Sequence, residues 1–363
     1  MTLRACLADL EDRIDPEIED QLRSQWERFV QGRHPEAYFH PRRSAARPPR
    51  MPGLRIGPSG PEWPHVTVNQ ALADQDALLL QQYEGCSRSL SEADGNLLAV
   101  RCNYGTGILP SLFGAELFVM DDETDTLPTT RPLPSLEAVA ALVESGVPDL
   151  DGGLGAEVFS AAARFRAMAE EYPKIGRYVT VYHPDLQGPM DVCELLCGSR
   201  LFLWVRDQPQ LARELLELVT RTYRAFMQRW LAIFPASPPY SVHWSLLHRG
   251  VIMLRDDSAM NFSPADFERF IRPLNQELLD AFGGGAEHFC GRGDHFIGSM
   301  CRMRGLHAVH MSQPEYNDME TILANTVDRG IALLGLDPQT ARELAVSGRD
   351  LRGLVHTLSL IHI

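Results

Sequence analysis

At 363 residues the chain is long enough for two average domains or one large barrel, and 44% hydrophobic with 23% charged residues is an ordinary globular composition. A formal net charge of −14 argues against nucleic acid or an anionic membrane as the main partner. The seven cysteines are scattered and odd in number, which fits a reducing compartment better than a disulfide framework.

The start, Met1 to Cys6, lacks the apolar core and cleavage site of a signal peptide, and no apolar run approaches the roughly 18 residues of a spanning helix, so a cytoplasmic protein is expected. Asp15-Pro16-Glu17 opens a helix: Asp as cap, Pro in the first turn, acids at the positive end of the dipole. Leu22, Trp26 and Phe29 give it an apolar stripe, and Gly32 can end it. The basic, proline-rich stretch from Pro41 to Pro52 cannot hold a helix and reads as an extended arm or a phosphate-binding patch. Val68 to Glu84 returns to helical spacing, with Gly85 as its stop.

Leu97 to Cys102 reads as a buried strand running into a glycine turn, with Arg101 and Asn103 at its end as candidate substrate contacts. Helices are expected over Pro134 to Ser145 and Gly155 to Tyr172, then a strand over Gly176 to His183. A helix carrying Cys193 and Cys197 follows; the pair is either a metal-binding turn or two small buried hydrophobes. Leu201 to Val205 is expected as a strand and Pro209 to Phe234 as a long amphipathic helix. Gly250 to Leu254 is a further strand that ends at Arg255-Asp256-Asp257, two carboxylates suited to acid–base or metal chemistry, or to a solvated turn. Ser263 to Asp266 resembles a capping box, and Pro273 should kink the helix it opens.

Ala286 to Cys290 is a short strand between glycine-rich turns. Residues two apart on a strand share a face, so His288 and Cys290 point the same way and could close on one metal ion, or simply face inward without one. Short helical segments and strands then alternate through Ile297 to Met303, Gly305 to His310, Pro314 to Arg329, Ile331 to Gly335 and Asp337 to Ala345. Such alternation argues for a parallel sheet with helical crossovers, best satisfied by one α/β barrel over residues 95–363 behind an N-terminal helical extension and arm over 1–94. In such barrels catalytic groups gather at the strands' C-terminal ends, where Asp256, Asp257, His288, Cys290 and His310 all fall.

The run from Asp256 to Pro273, followed by His288-Phe-Cys-Gly291, resembles the uroporphyrinogen decarboxylase superfamily, and within it the corrinoid and coenzyme M methyltransferases. Gly188-Pro-Met-Asp191, Leu196-Cys-Gly198 and Asp207-Gln-Pro-Gln-Leu-Ala212 are similar to that family's middle section. The resemblance covers roughly Gly95 to Asp350 and implies a (β/α)8 TIM barrel. It also implies a zinc ion on His288, Cys290 and a later cysteine, which binds a thiol that takes a methyl group from a corrinoid or similar donor, with a corrinoid protein as a conceivable partner. Asp257 or His310 would then orient substrate or complete the metal shell, and Asp256 would contact substrate.

Two departures stand out. No cysteine follows Cys301, and seven strands can be counted, with Leu358 to Ile363 a poor last strand and helix, so a C-terminally incomplete barrel is expected. The runner-up is a metal-independent decarboxylase acting on a tetrapyrrole or other carboxylate. The order of Arg42, Arg43 and Arg47 does not match that branch's arginine-rich loop. An inactive barrel that binds a corrinoid protein is the third reading.

Overall fold

The computed structural model describes residues 2–44 and 63–358. Its strands are β1 (Tyr38–Phe39), β2 (Ala99–Val100), β3 (Glu116–Phe118), β4 (Thr129–Arg131), β5 (Thr180–Val181), β6 (Tyr240–His243), β7 (Leu246–Arg249), β8 (Ile252–Arg255), β9 (Gly285–Phe289), β10 (Leu306–Met311), β11 (Ala332–Leu336) and β12 (Val355–Thr357). Six of them form one parallel sheet in the order β1-β12-β11-β10-β9-β8, while β2 and β5 form a separate parallel pair. β3 with β4, and β6 with β7, are antiparallel hairpins. The fold is therefore α/β with helical crossovers, but among the described residues strand pairing does not join the two parallel ladders into a closed barrel. Side chains and single bonds bridge them instead: the Met253 amide donates to His183 Nε2 (3.3 Å) and the Gly188 amide to the Arg255 carbonyl (2.8 Å). Gly188 is required at that contact, since a Cβ there would lie 2.5 Å from the same carbonyl oxygen.

Register explains how one face of the sheet is filled. Met253, Ala286, Ala308 and Ala332 lie side by side across β8 to β11, and two residues further along come Arg255, His288, His310 and Leu334. The three alanines leave room for larger groups from outside the sheet. Trp26 and Phe29 from the helix Pro16–Val30, and Leu246 and Leu247 from β7, fill that space as a buried apolar cluster. Asp15 caps the Pro16–Val30 helix as its sequence indicates, accepting from the Glu17 amide at 2.9 Å. The segment after that helix supplies β1 to the sheet, and Arg43 fastens it by a buried pairing with Glu19 (2.6 Å) and Asp94 (3.0 Å). The opposite face of the sheet packs on helices, Arg272–Phe282 against β8 and Pro338–Val346 against β12.

Several expectations are corrected. Leu201 to Val205 is helical (Leu201–Asp207): Leu201 and Val205, four apart, are buried while Leu203 is 63% exposed, a helical and not a strand pattern. Most of Gly176 to His183 is not strand, because a helix opening at Pro173 runs to Tyr178 and leaves only Thr180–Val181 extended. Val68 to Glu84 is two helices, Val68–Ala73 and Gln75–Glu92, since Asp74 caps the second, and Gly85 lies inside it. Pro314 to Arg329 is a helix Met319–Asn325 between two 3₁₀ turns. Pro273 is accommodated by a π-turn over Phe267–Ile271, after which Arg272–Phe282 continues as α-helix. β1 and β12 join the sheet where no strand is expected, and both antiparallel hairpins are also new. The parts of the proline-rich arm and of the C-terminal stretch at 45–62 and 359–363 lie outside the described residues.

Candidate metal centre

β8 and β9 are parallel neighbours with Arg255 opposite His288, so the residues that follow each strand come together at the same sheet edge. Asp257 opens the 3₁₀ turn after β8, and Cys290 is the first residue past β9. His288 Nε2 lies 3.3 Å from Asp257 Oδ1 and 3.4 Å from Cys290 Sγ, and the three ligand atoms all lie within 4.8 Å of one another. Ligands at about 2.0–2.3 Å from a tetrahedral zinc ion stand about 3.3–3.8 Å apart; both His288 distances fall in that range, and Asp257 and Cys290 lie within 4.8 Å of each other. The residues present fit the metal.

Neighbours hold each donor in place. The Cys290 amide donates to Asp257 Oδ1 at 2.8 Å, and Cys290 Sγ lies 3.5 Å from the hydroxyl of Ser312, the first residue past β10. His310, opposite His288 in the β9–β10 register, places its Nδ1 2.8 Å from His288 Nδ1. When His288 Nε2 is bare as a ligand must be, its Nδ1 carries the hydrogen and donates to His310, which fixes the ring. Trp244, from the turn between β6 and β7, meets His288 edge-on at 4.9 Å and lies tilted against His310 at 5.4 Å. Trp244 and Ser245 both have positive φ (48° and 65°), the left-handed pair that lets this hairpin turn press into the sheet face.

Electrostatics follow from burial. Desolvation and the Asp257 charge push the Cys290 thiol up to about 12, so the thiol alone is protonated at neutral pH. Burial raises the Asp257 carboxyl, but hydrogen bonds and charge from His288 and Cys290 outweigh it and hold this group below the usual carboxylate range. His310 is held well below the usual imidazole range by burial and by the neighbouring His288 and His356.

The other expected site residues are distributed differently. Arg101 makes a buried ion pair with Asp185, which also pairs with Arg255, and Arg255 lies over the Trp244 ring at 4.6 Å. Asn103 Oδ1 has no hydrogen-bond partner among the described residues. Asp256 is fully buried on the helix side, bonded to Asn275 of Arg272–Phe282, and burial raises it to about 6. Asn275 also reaches Glu287 (3.3 Å), raised well above its usual range by burial and by the Asp256 charge. Cys193 and Cys197 are both fully buried in the apolar core, and Cys301 sits in that core outside the Asp257–His288–Cys290 group. Sequence reasoning missed Asp185, Trp244 and Ser312. It also missed the role of Asp191, whose carboxylate accepts the Asp257 and Ser258 amides at 2.8 Å each and so shapes the turn that presents Asp257. The signal for Asp191 lay in the Gly188-Pro-Met-Asp191 stretch, and that for Asp185 in its place after a strand. A cavity of about 290 Å³ opens beside the centre, lined by Thr106, Gln187, Asp191, Glu194, Asp257 and Asn261 among others.

Against known proteins, no family model and no curated protein matches the sequence. Among solved structures, a methyltransferase from Methanosarcina mazei has the same fold, with a TM-score of 0.58 over 80% of this chain and 81% of that one, at 16% identity. No described helix is long and apolar enough to cross a membrane.

Proposed function

We propose that the protein is a methyltransferase-type enzyme that passes a methyl group from a corrinoid or similar activated donor to a thiol held at Asp257, His288 and Cys290. The observation that carries this reading is the convergence of those three donors at the C-terminal edge of the sheet. Three protein ligands leave one position of a tetrahedral ion for substrate, the pattern of a catalytic and not a structural zinc. Asp257 takes the place of the later cysteine that the family resemblance implies. Zinc bound there would deprotonate a coordinated substrate thiol and present its sulfur as a nucleophile at neutral pH.

The chain's own residues supply the setting. His310 orients His288, the Cys290 amide holds Asp257, and Asp191 holds the turn that carries it. The adjoining 290 Å³ cavity would receive the thiol substrate, with the face beyond it for the donor or a corrinoid protein. The likeness to a methyltransferase fold supports this assignment, as does the sequence resemblance to the uroporphyrinogen decarboxylase superfamily, of whose (β/α)8 barrel the sheet would be an open-seamed version.

The test is the metal content of the purified protein beside that of a Cys290→Ser variant. About one zinc per chain, lost in the variant, is expected, together with thiol-dependent loss of the methyl–cobalt absorbance of methylcobalamin in the unaltered protein. A protein that carries no zinc and is indifferent to the substitution overturns the reading in favour of metal-independent, decarboxylase-like chemistry.

A further inference from the structure

The cavity of about 290 Å³ beside the candidate metal centre is lined by charge of one sign. Asp257 belongs to its wall, so a molecule in the cavity lies next to a metal donor. The helix Pro189–Cys197 presents Asp191 and Glu194 to it, three residues apart and therefore on one face. Thr106, Gln187 and Asn261 add hydroxyl and amide groups, and among the described residues no Lys, Arg or His lines it. Arg101 and Arg255 are both engaged by Asp185, and neither contributes to the wall. The volume stands at the low end of the roughly 300–1,000 Å³ of small-molecule sites, which suits a substrate of few heavy atoms.

The two acids of the helix are differently placed. Asp191 is occupied within the protein, accepting the Asp257 and Ser258 amides at 2.8 Å each and the Ser258 hydroxyl as well. Glu194 is half-buried and has no hydrogen-bond or ion-pair partner among the described residues. Burial alone raises its carboxyl, with no basic group near enough to oppose the rise. A carboxylate drawn partly out of water without a counter-charge favours a cation from outside. The charge of the metal centre argues the same way. With zinc bound, the Asp257 carboxylate and the Cys290 thiolate balance the ion, and a substrate thiolate adds one further negative charge. A positive group on the substrate would neutralise that charge, whereas a sulfonate or carboxylate would meet Glu194 with like charge.

We propose that this cavity selects a small aminothiol, whose ammonium pairs with Glu194 while its sulfur reaches the metal centre. The inference rests on the thiol chemistry assigned above and adds to it the charge of the substrate. The probes share one two-carbon thiol skeleton: 2-aminoethanethiol, 2-mercaptoethanol and 2-mercaptoethanesulfonate, which are positive, neutral and negative. Each is titrated calorimetrically into the zinc-loaded full-length protein and into its Glu194→Gln and Glu194→Lys variants, with circular dichroism and zinc content as checks on folding. The aminothiol should bind at least about tenfold more tightly than the neutral thiol, and the sulfonate most weakly. Because the three sulfhydryls differ in acidity, the deciding quantity is the change in these ratios between proteins. In Glu194→Gln the aminothiol's advantage should shrink to within about threefold, and in Glu194→Lys the sulfonate should overtake it. Zinc-bearing protein that binds the three thiols alike, or favours the sulfonate, overturns the aminothiol and leaves zinc–thiol chemistry standing. So does a preference for the aminothiol that persists in Glu194→Gln. Protein that takes up no zinc and binds none of the three overturns both readings together.

Discussion

His310 rests against a glycine. Gly335 has φ +79°, and a Cβ added there would lie 2.6 Å from His310 Nε2. Alanine at this position therefore meets two costs, left-handed backbone strain of about 1 kcal/mol and displacement of the imidazole that orients His288. Gly330 supplies the comparison, since its φ is +77° but nothing lies within 4 Å of its Cβ position. Gly330→Ala should lose only the backbone contribution, whereas Gly335→Ala should lose about 2–3 kcal/mol in urea unfolding and, if the proposed centre holds zinc, release it faster to a chelator. Equal unfolding midpoints and equal zinc release in the two variants would show that His310 does not hold His288 in place.

The helix Pro16–Val30 acts on the sheet from outside it. Trp26 is fully buried, donates its ring N–H to the Gly95 carbonyl at 2.9 Å, and packs on Phe39 of β1 and His356 of β12 at centroid distances of 5.0 and 4.6 Å. Trp26→Ala should cost about 3–5 kcal/mol. Hydrogen exchange should show the loss first at the β1–β12 pair, with the amides of β9 and β10 opening only with the whole protein. Uniform acceleration across all strands would mean that the helix is not a local clamp. This helix was legible in the sequence because cap, proline and apolar stripe agree. The strands it clamps were not, since segments of two and three residues hold no periodicity to read. Leu201 to Val205 failed for a related reason: an unbroken apolar run fits helix and strand alike until burial separates the two.

At the scale of the molecule, the closeness of His288 and Cys290 was legible and their surroundings were not. The two-residue period places His288 beside Cys290, and the end of a parallel strand brings Asp257 to the same edge. The contact of His310 with His288 depends on the β9–β10 register, and Trp244 arrives by a hairpin that no local pattern announces. The same packing buries an unusual set of titratable groups, and their balance sets how stability varies with pH. His183 and His356 are lowered to about 3 and His248 to about 4, while His243 and His310 lie well below their usual range, all chiefly by burial. Each is neutral in the folded protein but takes a proton at about pH 6.5 when unfolded, so each favours unfolding as pH falls below that value. Asp191 and Glu287 are raised well above the usual range and Asp256 to about 6, again chiefly by burial. These three bind protons in the folded state that the unfolded chain releases, so their contribution is present at low pH and is lost as pH rises through the raised values. Between pH 6.5 and 5 the five histidines outnumber the three carboxyls, and stability should fall by about 2–3 kcal/mol per pH unit. At higher pH the histidines are neutral in both states, so stability should fall again as pH rises through the raised values of the carboxyls. Urea midpoints measured with chelator at pH 5, 6.5 and 8 should therefore trace a dome with its top near 6.5, and Glu287→Gln should flatten the alkaline side. A flat or steadily rising profile would mean that the histidine cluster and the acidic cluster are hydrated in solution and not sealed within the fold.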